Sequence, residues 1–391
     1  MKNIKAVFDI GNDSIKGVVF GEDDGKNIIL VKQMEPTQGL RKGKILDSEN
    51  FVNTINKVAE GFIKKLGGDF IDEVFVSISH PEALVQRVVE QKRIMSDEIG
   101  EDDVEHLSRV ISDISIKSNF ETIKIVPVYR IIDEIKKEKD PIGMKGKKLE
   151  LVADVFMLPK NLYNSIIESF ERIGLKVTDI IPNIIASTEI AIDYDHRDLG
   201  TVLIDIGKNQ SSYVIYEDGY PLGYGTIPIG GEDVTKDISI GMQIDIKEAE
   251  DLKRSYGTAL LSKDNMPENS PVDMLFLSDI INARYEEIFN KVNNHLKQLE
   301  KDGKLPGGVL LLGGGAKVPN VDLLAKDVFK LATFYGKDTI LDLGDLSSNI
   351  QFTNVLGAYV RSNKYTEGRK GNFKLNFDVV GSIGKFFKDL F

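Results

Sequence analysis

Residues 6–33, AVFDIGNDSIKGVVFGEDDGKNIILVKQ, come back in altered form as residues 201–231, TVLIDIGKNQSSYVIYEDGYPLGYGTIPIGG. Each copy reads as an apolar strand ending in Asp-Ile-Gly, a short polar loop, a second apolar strand, an acidic turn and a third strand. Asp9 aligns with Asp205 and Gly11 with Gly207, 196 residues further on. A strand–loop–strand unit repeated at that distance predicts two like-folded domains facing each other. A third glycine-rich element, VLLLGGGAKVPNV, runs from a buried strand into Gly313, Gly314, Gly315 and Ala316, then toward a helix around Val321–Leu331.

Taken alone, Asp-Ile-Gly after a strand is more often a plain turn than a site. Its duplication, with the third element following the second copy, favours a nucleotide held between two lobes. Glycines let backbone N–H groups approach phosphate oxygens. A carboxylate at the end of each strand, Asp9 and Asp205, can hold Mg²⁺ through the waters that ion retains. Lys16 can reach a phosphate as a point charge. The glycines after VLLL allow close approach of a flat adenosine. The candidate nucleotide residues are therefore Asp9, Gly11, Asn12, Asp13, Ser14 and Lys16 from the first copy. Asp205, Gly207, Lys208, Asn209, Gln210, Gly230 and Gly231 come from the second, and Gly313, Gly314, Gly315 and Ala316 from the third element.

With 391 residues, 41% hydrophobic and 28% charged, the chain has the composition of an ordinary globular protein long enough for two or more domains. The absence of cysteine excludes disulfides, thiolate metal sites and cysteine nucleophiles, and suits a reducing cytoplasm. The four histidines form no His-x-x-x-His pair, and no nucleophile with an adjacent base can be argued. The opening KNIKAVFDIGND lacks the apolar core of a signal peptide, and no stretch reaches the ~18 apolar residues of a spanning helix. A net charge of −11 argues against nucleic acid as the main partner.

Charge is unevenly placed. From residue 361 onward seven basic residues face three acidic ones, so this end is +4 and leaves −15 for the body. RSNKYTEGRKGNFKLN has no helical or strand period and reads as a flexible linker. On a helical projection of the final residues, Val379, Val380, Ile383, Phe386, Phe387, Leu390 and Phe391 fall within an arc of about 140°, with Lys385 and Lys388 on the far side. That pattern predicts a basic amphipathic helix lying in a membrane interface; the alternative is a terminal helix docked on its own body. Each buried large apolar side chain contributes roughly 1.5–3 kcal/mol, each lysine near anionic lipid about 1, and each ordered residue costs about 1–2. The balance is marginal, so firm attachment needs several copies on one assembly.

On these motifs the chain resembles the actin-like and hexokinase-like ATPase superfamily, and within it the bacterial cell-division FtsA family, over nearly its whole length. FDIGNDSIK is similar to the first phosphate loop, LIDIGKNQSS to the second and LLLGGGAKVPN to the adenosine loop. KEAEDLKRSYG resembles the family helix whose acid and lysine, here Glu250 and Lys253, approach the nucleoside. Residues 81–158 alternate as strand, helix, strand, strand, the make-up of the subdomain that FtsA carries in this place. The resemblance implies an α/β, actin-like (ribonuclease H-like) two-lobed fold with an inserted α+β subdomain and a C-terminal amphipathic helix. Its parts are subdomain 1A (1–80, 159–195 and a return at 346–360), the insert 1C (81–158), 2A (196–230 and 304–345), 2B (231–303), the linker (361–376) and the membrane helix (377–391).

It also implies ATP and Mg²⁺ as cofactors and self-assembly into an actin-like filament. The implied partners are the FtsZ C-terminal tail, an anionic membrane surface at the division site, and other divisome proteins through the insert. DIINARYEEIFNKVNNHL is similar to the family helix near the FtsZ contact, which singles out Arg284, Tyr285 and Glu287; otherwise it is a plain amphipathic helix with Ile281, Ile288, Val292 and Leu296 inward. One departure stands out. Where the family carries Gly-Gly-Gly-Thr-x-Asp, this chain has Gly207-Lys208-Asn209-Gln210-Ser211-Ser212. The loop then binds phosphate through side chains, or binds ATP and hardly hydrolyses it, or has lost binding. The chain is at most a slow ATPase on this reading. A PilM-like pilus-assembly protein and a small-molecule kinase are the other functions open to the same fold.

Overall fold

The computed structural model describes residues 2–23, 26–66, 71, 73–114, 117–261, 272–336, 341 and 349–370. The candidate membrane helix, 377–391, lies outside the described residues. In chain order the first lobe opens with β1 (Lys2–Ile10), β2 (Ser14–Asp23), β3 (Lys26–Pro36), the small hairpin β4 (Leu40–Arg41) and β5 (Lys44–Ile45), α1 (Ser48–Leu66) and β6 (Glu73–Ile78). The insert follows as β7 (Leu84–Arg93), α2 (Glu101–Asp113), β8 (Phe120–Ile132), β9 (Lys136–Glu138) and β10 (Lys148–Pro159). The first lobe then resumes with α3 (Lys160–Glu171), β11 (Val177–Pro182) and α4 (Asn183–Ala191). After α5 (Tyr194–Leu199) the second lobe comprises β12 (Thr201–Ile206), β13 (Ser211–Glu217), β14 (Tyr220–Ile227), α6 (Gly231–Met242), α7 (Ile246–Tyr256), α8 (Met274–Gln298), β15 (Val309–Leu312), α9 (Val321–Phe329) and β16 (Thr333–Tyr335). The last described helix, α10, spans Thr353–Lys370.

The repeat seen in the sequence is a repeat of topology. The first sheet has the order β11-β6-β1-β2-β3 and the second, read from its far edge, β16-β15-β12-β13-β14. In both, an antiparallel three-stranded meander is extended by two parallel strands. The registers coincide as well: Asp9 lies opposite Lys16 across β1–β2, and Asp205 opposite Ser212 across β12–β13.

The central strands are buried on both faces, which explains why β12 reads TVLIDI, apolar but for Thr201 and Asp205. Leu203 turns toward the core of the first lobe, whereas Val202, Ile204 and Ile206 turn toward that of the second. Helices α4 and α10 cross between the sheets, and all nine residues of α4 are buried. At their crossing a Cβ on Gly357 would lie 1.7 Å from the Ala186 carbonyl oxygen, so this contact admits only glycine. Tyr359 of α10 stacks on Phe20 of β2 with ring centroids 3.9 Å apart.

In the insert the sheet order is β7-β10-β8-β9, with α2 packed on it over a core of its own that includes Leu107, Ile111, Leu149 and Leu151. The β8–β10 ladder shifts register beside Pro127, which lacks the N–H of a regular ladder position. Lys124 pairs with Asp179 to hold the insert on the first lobe, and burial pushes the Asp179 carboxyl up. On the other side Arg87 forms a bidentate pair with Asp154 at 2.8 and 2.9 Å and donates to the Pro221 carbonyl of β14 at 2.7 Å.

One expectation fails here. Residues 361–370, read as linker, continue α10, and Ser362 is 1% exposed. The Lys5 ammonium bonds the Ser362 carbonyl at 3.3 Å and the Asn363 side chain at 3.0 Å. These polar anchors hold the start of the extension at Ser362 and Asn363, and such contacts produce no apolar period.

Candidate functional site

The strand-end carboxylates Asp9 and Asp205 meet at a cavity of about 490 Å³ between the two sheets. It is lined by Asp9, Gly11, Asn12, Asp13, Ser14 and Lys16 of the first module and Asp205, Gly207, Lys208, Asn209, Gln210 and Gly231 of the second, with Glu250, Lys253, Gly313, Gly314 and Gly315. Gly230 and Ala316 do not line it. A Cβ on Gly230 would stand 2.5 Å from the Gly207 carbonyl oxygen, so that glycine lets the loop sit on the start of α6. Ala316 is fully buried in the second core.

Each turn after a strand is tight. A Cβ on Gly11 would come 2.7 Å from the Ser14 carbonyl, and one on Gly207 3.0 Å from that of Gln210. Gly313 has φ +86°, and a Cβ there would fall 2.3 Å from an Asp205 carboxylate oxygen. Gly315 is closed off by Ile206 in the same way. Of the three consecutive glycines only Gly314 has no atom closer than 3.8 Å to such a Cβ, so it alone leaves space for a ligand.

The electrostatics of the two carboxylates differ. Asp9 accepts from Lys16 at 3.0 Å, Asn183 at 3.0 Å and Ser77 at 3.5 Å. Asp205 accepts from Asn354 at 3.2 Å. Burial pushes the Asp205 carboxyl up; the Asn354 hydrogen bond opposes this, the Asp9 charge adds to it and Lys16 offsets it. The asparagines extend the repeat beyond the quoted motif, since Asn183 opens α4 and Asn354 lies in the first turn of α10. With each Nδ2 committed to a carboxylate, both Oδ1 atoms are buried without a donor, and so is Oε1 of Gln210. Carboxylates and amide oxygens that lack donors suit a cation that arrives with its own waters, which is how Mg²⁺ is usually held. No cluster of three or more His, Cys, Asp or Glu that could hold a metal directly occurs among the described residues.

At the α6–α7 side, Lys253 donates to Glu250 at 2.6 Å, to Thr235 at 2.7 Å and to the Gly231 carbonyl at 2.9 Å. Burial works to raise the Glu250 carboxyl, but hydrogen bonds from Lys253, Thr235 and Arg254 outweigh it and hold it below the usual range. The sequence reading missed Ser79, Asn183, Thr235, Arg254, Lys317 and Asn354, all of which line the cavity. The asparagines carried a faint signal: each precedes the apolar run of a helix that follows a module. Lys317 lies two residues after the glycine run; burial and the Lys16 charge pull its ammonium pKa down.

Tyr285 is corrected. It is fully buried, its hydroxyl donates to the Gly315 carbonyl at 2.6 Å, and it faces the cavity instead of a partner. It belongs to the stripe Ile281, Tyr285, Ile288, Val292, Leu296, all at 0% exposure, so helical period alone assigns it inward. Arg284 bridges α8 to α6 through Asp237 at 2.6 and 3.0 Å and bonds Glu287 at 2.6 Å. No helix among the described residues is long and apolar enough to cross a membrane.

Two family models match: "Cell division protein FtsA" over residues 202–357 and "SHS2 domain inserted in FTSA" over residues 83–157. The cell division protein FtsA of Enterococcus hirae is 32% identical over 82% of this chain and 75% of its own length. That of Bacillus subtilis is 28% identical over 96% and 87%, and that of Escherichia coli 24% over 98% and 95%. Among solved structures, a PilM–PilN type IV pilus biogenesis complex aligns with a TM-score of 0.68 at 16% identity, over 91% of this chain and 98% of that one. MreB5 of Spiroplasma citri bound to ADP aligns at 0.56 and 14% identity, over 95% and 99%. These structures establish the actin-like fold, the sequence relatives establish kinship, and the chain belongs to the FtsA family of cell division proteins.

Proposed function

We propose that this chain is an ATP-binding, self-polymerising adaptor that tethers FtsZ filaments to the cytoplasmic face of the membrane at the division site. The observation that carries the nucleotide part is the pair of like modules presenting Asp9 and Asp205 across one cavity. Solved MreB5 structures of the same fold hold ADP and AMPPNP. The phosphate chain lies between the turns at Gly11–Ser14 and Gly207–Gln210, within reach of Lys16. Gly314 and the Glu250–Lys253 pair form the nucleoside side. Asp9 and Asp205 would hold Mg²⁺ through its waters, beside the side-chain amides of Asn183, Asn354 and Gln210, and the ion would supply charge neutralisation to the phosphates.

The second turn carries Lys208, Asn209 and Gln210 in place of the family's glycines and threonine, and Ser212 in place of its acid, so the nucleotide acts chiefly as a wedge that sets the lobe angle for filament contacts. Phosphate release should be far below the ~10 s⁻¹ typical of enzymes. The FtsZ tail docks on α6–α8, and residues 377–391 lie in the anionic interface. A PilM-like role is disfavoured by the sequence relatives and by that basic amphipathic ending. Flotation with anionic vesicles tests the tether: the intact chain should float and a chain ending at Lys370 should not. Equal flotation of the two would remove the adaptor reading.

A further inference from the structure

The turn that departs from the family pattern is tied down nearly everywhere. Its Gly207 N–H donates to the Gln210 carbonyl at 2.9 Å, and its Gly207 and Lys208 carbonyls accept from Gly231 and Glu232 of α6 at 2.9 and 2.8 Å. The Asn209 side chain donates to Glu232 at 2.6 Å, and that of Gln210 donates to Ser79 of the opposite lobe. Lys208 is the exception. Its ammonium crosses the cleft to Asp13 at 3.2 Å, and the two side chains are 40% and 58% exposed. An exposed pair of this kind contributes little and exchanges readily. The Asp13 charge also acts on Lys253 and Arg254, so the carboxylate keeps favourable neighbours if Lys208 leaves.

We propose that Lys208–Asp13 is an exchangeable latch across the cleft, in which Lys208 gives up Asp13 for a phosphate of the bound nucleotide. The ammonium takes over the role that close backbone approach plays in a glycine-rich loop, and Asp13 is its built-in competitor. Binding then opens one cross-cleft tie, Lys208–Asp13, while Gln210–Ser79 remains. This inference rests on the nucleotide reading of the cleft and adds a sign to it: the two partners of one ion pair have opposite effects on affinity.

The test is calorimetry with Mg-ATP and with adenosine on the full chain, Lys208→Met and Asp13→Asn, after thermal melts show all three folded alike. Lys208→Met should weaken ATP about tenfold and Asp13→Asn should tighten it about threefold, with adenosine within about twofold throughout. If both substitutions weaken ATP, or both shift adenosine equally, the pair is a structural strut and the exchange is overturned while the cleft remains a nucleotide site. If the unaltered chain binds neither ligand, the cleft reading falls and the exchange with it.

Discussion

The two halves of this protein repeat one backbone device and equip it with different charges. Both modules end a buried strand in Asp-Ile-Gly, turn through four residues and return in the same register. In both, an asparagine from the first turn of a central helix holds the strand-end aspartate. At the register position opposite that aspartate, however, the first module has Lys16 and the second has Ser212. Asp9 is therefore neutralised by its own lobe, whereas Asp205 is buried with an amide partner and a neighbouring negative charge. The turn geometry is dictated by sterics that admit few residues, while the charge beside it is free to differ.

The comparison breaks most visibly at the register pair. Lys16→Met leaves Asp9, 2% exposed, without its counter-ion, and loss of one partner of a buried pair should cost about 3 kcal/mol. Ser212→Ala removes a hydroxyl that meets Ser79 at 3.4 Å, its one hydrogen-bond partner among the described residues, and should cost less than about 1 kcal/mol. Urea denaturation of the two variants measures the gap; equal losses would show that the modules are loaded alike. A finer test is steric. Gly11→Ala brings a methyl to 2.7 Å from a backbone oxygen and Gly207→Ala to 3.0 Å. The first should lose about 2 kcal/mol and the second less than about 1, by the same measurement.

The smallest effect concerns pH. The folded-state pKa of Asp205 is raised, so its contribution is full below the ordinary carboxylate range and is lost as pH rises through the raised value. Asp205→Asn should accordingly raise the melting temperature of the ligand-free protein at neutral pH, and that gain should shrink as pH falls toward the ordinary carboxylate range. A gain that is constant with pH would mean that Asp205 is not the group responsible. The same variant should weaken Mg-nucleotide binding, which separates stability from function.

What the sequence made legible was local and repeated. The strand–loop–strand modules could be read because apolar runs, glycines and a carboxylate recur in one order. The insert could be read because its strands and helix have clean periods. The supporting amides of Asn183 and Asn354 lie 174 and 149 residues from the carboxylates they hold, and no local pattern pairs them. Resemblance places Tyr285 at a partner contact, the stripe of Ile281 and Ile288 that contains it points inward, and the packing follows the stripe. The extension of α10 was missed because polar anchors, such as Lys5 on Ser362 and Asn363, leave no periodic trace.

That extension changes the mechanics of the chain's end. At about 1.5 Å per residue, the nine helical positions after Arg361 run about 13 Å along the axis of α10. Only residues 371–376 separate it from the amphipathic stretch, and six residues span at most about 20 Å. On the proposed tether reading, a membrane gripped by residues 377–391 would be held within a few nanometres of the end of α10. On the same proposal, neighbouring copies in a filament would be held at similar heights, so that a row of weak grips would act as a single strong one.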